Sequence, residues 1–103
     1  MTINVANVTT AGNVVYPSIG NTAVTYFALC NYGTGNVSAN VYIVPSGETI
    51  GNSNILVNQI VVSPTDTFLL YIGAEKLLLG NGDSIQASAN ANTVTSTTSY
   101  TTI

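Results

Sequence analysis

Apolar and polar residues alternate in short runs along this chain, and no stretch keeps a 3.6-residue apolar period over three turns. The most strongly marked strand is Ala23–Asn31 (AVTYFALCN). Alternation puts Ala23, Thr25, Phe27 and Leu29 on one face and Val24, Tyr26, Ala28 and Cys30 on the other. Both sets are largely apolar, which predicts a central strand covered on two sides. Val37–Val44 alternates more cleanly, with Val37, Ala39, Val41 and Ile43 opposite the wetter Ser38, Asn40 and Tyr42. In Ile55–Val62 strict alternation groups Leu56, Ile60 and Val62 against Ile55, Val57 and Val61. Thr67–Ile72, Leu77–Leu79, Ser84–Ala89 and Thr93–Thr102 complete the set, the last Thr-rich and scarcely amphipathic.

Turn chemistry punctuates these runs. Asn31–Asn36 (NYGTGN) and Asn81-Gly82 read as hairpin connections, since Asn and Gly accept positive φ. Ser63-Pro64-Thr65-Asp66 reads as a turn with Pro at its second position. Gly73–Lys76 is long enough for one helical turn only. Before residue 21, Ile3, Val5, Val8 and Val14–Tyr16 form short segments, the second stopped by Pro17, and read as an N-terminal arm or edge strands (1–20) ahead of a sandwich domain (21–103). The pattern predicts an all-β fold: a single antiparallel β-sandwich, jelly-roll or immunoglobulin-like, of seven to nine short strands.

Composition changes what such a sandwich can do. Its 103 residues suffice for one core, burying roughly two-thirds of the unfolded surface. Glu48, Asp66, Glu75 and Asp83 face Lys76 alone, giving a net charge of −3, with no Arg, His or Trp. One lysine cannot neutralise a run of phosphates, so nucleic acid and anionic membrane surfaces are excluded as partners. Without His, no Ser-His-Asp or Cys-His arrangement forms from this chain, and imidazole metal sites are absent. The lone Cys30 reads as a small core thiol. No signal peptide or membrane-length apolar run is visible, which points to synthesis in a reducing cytoplasm.

Candidate chemistry is therefore sparse. Asp66 and Asp83 each open a strand after a turn, where a carboxylate accepts backbone N–H groups. Gly80-Asn81-Gly82-Asp83 lacks the helix and lysine of a phosphate cradle and the several acids of a calcium loop. We expect no catalytic, cofactor or metal site. Only 5% of residues are charged, and hydroxyl and amide side chains fill the polar positions. Such a surface covers cheaply because few ions must be desolvated. The candidates for subunit contact are Ile3, Val5, Tyr16, Tyr32, Tyr42, Tyr100 and the charged pair Glu75 and Lys76, with Tyr26 and Tyr71 as core or seam residues. Tyr32 and Tyr42 would be exposed together near the 31–36 loop, the one place for a glycan-stacking platform.

Two stretches, NTAVTYFALCNYGTGNVSANVYIVPSG (Asn21–Gly47) and SPTDTFLLYIGAEKLLLGNGDSIQASANA (Ser63–Ala91), with the closing SYTTI (Ser99–Ile103), resemble small all-β virion structural proteins of tailed bacteriophages. The run EKLLLGNGDSIQASA carries most of the likeness. The resemblance implies a non-enzymatic particle component, made in the host cytoplasm and resident in the virion. It would decorate the capsid or belong to the neck, tail or fibre, as a homo-oligomer, such as a trimer, bound to major capsid or neck and tail proteins. Sheet edges and the N-terminal arm are the expected docking elements.

Overall fold

The computed structural model describes residues 2–70 and 77–103, and every regular element among them is a β-strand. The strands are β1 (Thr2–Val8), β2 (Asn13–Pro17), β3 (Thr22–Asn31), β4 (Val37–Val44), β5 (Ile55–Val62), β6 (Thr67–Leu70), β7 (Leu77–Leu79), β8 (Ser84–Ala89) and β9 (Val94–Thr102). All pairings are antiparallel. One set joins the first strand to the ninth, the second to the eighth, the third to the sixth and seventh and the fourth to the fifth; β3–β9 and β4–β8 then link these pairs into sheets. The chain is thus one long hairpin whose tip is the 45–54 loop. Successive pairs alternate between two sheets. Sheet I has the order β1-β9-β3-β6, with β7 also on β3, and sheet II the order β2-β8-β4-β5. That winding is the jelly roll.

The winding corrects two expected hairpins. β3 and β4 lie in different sheets, as do β7 and β8, so the 32–36 and 80–83 connections are arches between layers. At the second, Asp83 N–H donates to the Gly80 carbonyl at 3.1 Å, and Gly82 has φ +90° while Asn81 keeps a negative φ. One positive φ at the third position makes a type II turn, whose twist splays the flanking strands where a primed turn would keep them paired. A Cβ at Gly82 would also stand 2.5 Å from Ser46 Oγ, so the arch needs glycine twice over. The Ser63–Asp66 turn is the expected one: Pro64 precedes Thr65, which takes φ 61°, and Asp66 N–H donates to the Ser63 carbonyl.

Both sheets turn their apolar rows inward. Val8, Val24, Phe27, Leu29, Leu79 and Val94 of sheet I meet Val15, Val37, Val41, Ile85, Ala87 and Ala89 of sheet II. The Val37–Ala39–Val41 row sits inside, as its alternation predicts. Elsewhere bulges redirect the rows. Pairing with β9 slips between Val24 and Tyr26, leaving Thr25 as the extra residue, so Val24 joins Phe27 and Leu29 in the core. In β5, Asn58 and Gln59 together oppose Asn40; Gln59 has φ 54° and donates its N–H to Asn40 Oδ1 at 2.7 Å. Val57, Ile60 and Val62 thereby share the inner side that strict alternation denies them.

The first twenty residues belong to the roll. β1 edges sheet I, β2 edges sheet II, and Val8, Val15 and Tyr16 are core residues. Asn4 Nδ2 donates to the Val15 carbonyl and ties the two edges together. Tyr16, expected at a subunit contact, is only 3% exposed, and its ring lies 4.6 Å from that of Tyr100 across the sandwich. The second bulge residue on β2 explains the miss: pairing with β8 slips between Val14 and Tyr16, which lets neighbours Val15 and Tyr16 both face inward.

Asn31, fully buried at the end of β3, uses its whole side chain. Its Nδ2 donates to the carbonyls of Gly35 (2.8 Å) and Val62 (2.9 Å), and its Oδ1 accepts from Gly33 N–H and Thr93 Oγ1, each at 3.0 Å. One residue therefore joins β3, its arch, β5 and the entry to β9. Thr98, on the inner face of β9, is the reverse case: its hydroxyl is buried and is the one such atom among the described residues without a partner. Replacing Asn31 with Ala should cost about 3 kcal/mol or more, since it strands several buried polar groups. Thr98→Val should raise stability by about 1 kcal/mol, because shape is kept and an unsatisfied hydroxyl removed. Urea denaturation of both variants checks the pair, and the opposite signs separate polar satisfaction from simple volume.

Candidate functional site

The outer face of sheet I assembles from four strands in register. Val5, Thr97, Ala28 and Leu69 form one row across β1, β9, β3 and β6, and Asn7, Thr95, Cys30 and Thr67 form the next. Toward the other end Ile3 pairs with Ser99, Ser99 with Tyr26, and Thr101 with Ala23, which faces Leu78 on β7. The edge strands carry the tall residues: Ile3 is 65% exposed, Val5 60%, Leu69 54% and Leu78 65%. Between them Ala23 and Ala28 are buried beneath their neighbours, and threonine and serine of β9 with half-buried Tyr26 and Cys30 of β3 fill the middle of the face. Among the described residues no charged group stands on this face.

Sheet II presents a different exterior. Gln86 pairs with Tyr42 and Ser88 with Asn40, which makes the expected wet face. The 45–54 loop also folds back over this side, for Ile50 Cδ1 reaches within 3.1 Å of where a Cβ on Gly12 would stand, beside Ser88. One exterior mixes amides with exposed Val14 and Val61 and is partly covered by the chain itself. The other is apolar, hydroxylated and bare.

The contact candidates divide accordingly. Ile3 and Val5 stand exposed on sheet I. Tyr100 is half-buried against the core, and Tyr16 offers no surface. Tyr32 is 58% exposed at the arch and donates its hydroxyl to Asn7 Oδ1 and the Asn92 carbonyl. Tyr42 lies half-buried in mid-strand on sheet II, so the two tyrosines form no common platform. Glu75, Lys76, Tyr71 and the Gly73–Lys76 turn lie outside the described residues. Cys30, read from sequence as a core thiol, is half-buried on the outer face, because the inner positions beside it are Leu29 and Asn31. Leu69 and Leu78 escaped sequence reasoning: each sits inside an all-apolar run, where alternation leaves no trace of the outer side.

The two aspartates are occupied structurally. Asp83 Oδ1 accepts from Ser46 N–H at 2.9 Å and Oδ2 from Gly80 N–H at 2.8 Å, while Asp66 Oδ1 accepts from Thr67 N–H. They cap turns, as their positions predict. Among the described residues no group of three His, Cys, Asp or Glu side chains gathers to hold a metal ion. Comparison with family models, curated proteins and solved structures returns no match.

The bare face is therefore the candidate site, a surface suited to contact with another surface. Its tall residues touch no core, so Val5→Lys and Leu69→Lys should each change folding stability by less than about 1 kcal/mol. Thermal or urea melts of the dilute protein check this; a larger loss would mean that these side chains support the sandwich.

Proposed function

We propose that this chain is a non-enzymatic structural protein of a tailed-bacteriophage virion, a decoration subunit on the capsid that binds its own copies and neighbouring particle proteins. The observation that carries the reading is the outer face of sheet I, free of charge among the described residues, on a roll whose arches are locked by their own amides. A particle subunit needs a broad surface that desolvates cheaply and a body that stays rigid without disulfides, and this chain combines the two. The strand order adds an analogy, since jelly rolls recur in viral capsid and lectin domains; the fold alone names no function.

We place the contact on this face rather than on the sheet edges and the N-terminal arm. β5 carries a positive-φ bulge, and β1 is strapped to β2 through Asn4. Bulged or covered edges are poor templates for an added strand. The separation of Tyr32 from Tyr42 leaves the glycan-platform reading without support.

Immunogold electron microscopy of purified particles with antibody to this chain tests the proposal. Labels over the head are expected. Labels on the neck or tail would keep the virion reading and move the subunit, and absence of the chain from purified particles would overturn it.

A further inference from the structure

We infer that the 80–83 arch carries a self-modification site, the Asn81-Gly82 peptide, which the folded chain holds shut and which converts irreversibly once that arch opens. Of the chain's asparagines, Asn81 alone precedes a glycine. Glycine has no Cβ to screen its own nitrogen, so the Gly82 backbone N can attack the Asn81 side-chain carbon. That nitrogen gives its proton to solvent and bonds to Cγ, while the Cγ–Nδ2 bond breaks and Nδ2 takes up a proton and leaves as ammonia. A five-membered succinimide remains. Water then opens it at either carbonyl, giving aspartate in one direction and isoaspartate in the other. Water is the one reactant consumed, and the site depends on the arch alone, not on the chain's role in a particle.

Both reacting groups are engaged in the fold. Gly82 N–H donates to the Ser18 carbonyl at 3.0 Å, and Asn81 Oδ1 accepts from Gly20 N–H at 2.8 Å. The attacking nitrogen must lose a proton that a carbonyl now holds, and the carboxamide must turn away from the bond that fixes it. Ser18 N–H donates in turn to the Asp83 carbonyl at 2.8 Å, and the Asp83 carboxylate caps Ser46 and Gly80. Ring closure therefore waits on local opening of the arch. Asn52-Ser53 is the internal comparison: both residues are exposed in the 45–54 loop, and among the described residues the Asn52 side chain makes no hydrogen bond. The two products differ in what they do to the arch. Aspartate keeps an oxygen that can accept again from Gly20 N–H. Isoaspartate adds a carbon to the backbone between residues 81 and 82, where Gly82 already lies against Ser46 and both its own N–H and that of Asp83 are bonded. The isoaspartyl chain cannot restore that spacing, so the modification records an opening permanently.

The purified chain, incubated in mildly alkaline buffer both native and unfolded in guanidinium chloride, tests the site by peptide mapping with mass spectrometry. In the unfolded chain Asn81 should deamidate faster than any other asparagine. Folding should slow it about tenfold or more, while Asn52 changes far less. Asp83→Ala removes the caps on Gly80 and Ser46 and should raise the native rate at Asn81 relative to the unfolded rate of the same variant. Asp83→Asn, which keeps one acceptor oxygen, should fall between it and the parent. Asn81→Asp should melt within about 4 °C of the parent, whereas the isoaspartyl chain, separated after unfolding and refolded, should melt below both. Equal native and unfolded rates at Asn81, or an unchanged rate ratio in both Asp83 variants, would overturn the guarded site. An isoaspartyl chain that melts with the parent would overturn the permanent record.

Discussion

The roll depends on the buried amide of Asn31 and on the use to which this chain puts neutral amides generally. Winding one long hairpin into two sheets forces nearly every connection to leave one layer and enter the other, and each departure frees backbone groups from the ladder. Charged side chains are too scarce here to satisfy them. Asn13 accepts from Thr9 N–H, Asn90 from Ser38 N–H, Asn92 from Thr10 N–H and Asn81 from Gly20 N–H. Asn31 does so in the interior, where an unmet donor is costliest, and binds three segments distant in sequence. The asparagine content that looks like surface polarity in the sequence is in large part jointing.

How much could be read beforehand follows from what alternation encodes. β4 was legible because its ladder to β8 runs without interruption, so a period of two survives from Val37 to Ile43. The turn at Ser63–Asp66 and the capping acids were legible because their chemistry is local. β2, β3 and β5 were not, since an extra residue in β2 and in β3, and two in β5, reverse the assignments beyond them. Nothing in AVTYFALCN marks Thr25 as that residue, and nothing in ILVNQIVV marks Gln59. Layer membership was equally hidden, because Asn-Gly reverses a chain whether or not the strands remain partners.

The candidate face was half legible for the same reasons. Ile3 and Val5 were visible as apolar residues in a polar segment. Leu69 and Leu78 were hidden by apolar neighbours, and only their register with Ala28 and Ala23 puts them on the same surface as the β1 pair. Tyr16 shows the opposite error: an aromatic beside a proline looks peripheral, yet the β2 bulge folds it onto Tyr100.

β9 shows what the face asks of the core. A strand alternating hydroxyls on both sides buries Ser96 and Thr98 where a sandwich would normally place Val or Leu. Ser96 recovers a bond to the Ala6 carbonyl at 3.2 Å, and Thr98 does not. The outer members of the same strand, Thr95, Thr97, Ser99 and Thr101, suit a surface that meets water in the free chain and would be covered in the assembly proposed above. Threonine is β-branched and holds a strand, its methyl packs when covered, and its hydroxyl keeps contact with water when not. Aliphatic residues in their place would join the Ile3–Val5 and Leu69–Leu78 ridges into one continuous apolar sheet, which invites uncontrolled aggregation. Charged residues would keep the chain soluble but would have to be desolvated wherever the face is covered. Threonine between the aliphatic edge residues is the composition that keeps a face wet in the free chain and cheap to cover in the assembly proposed above.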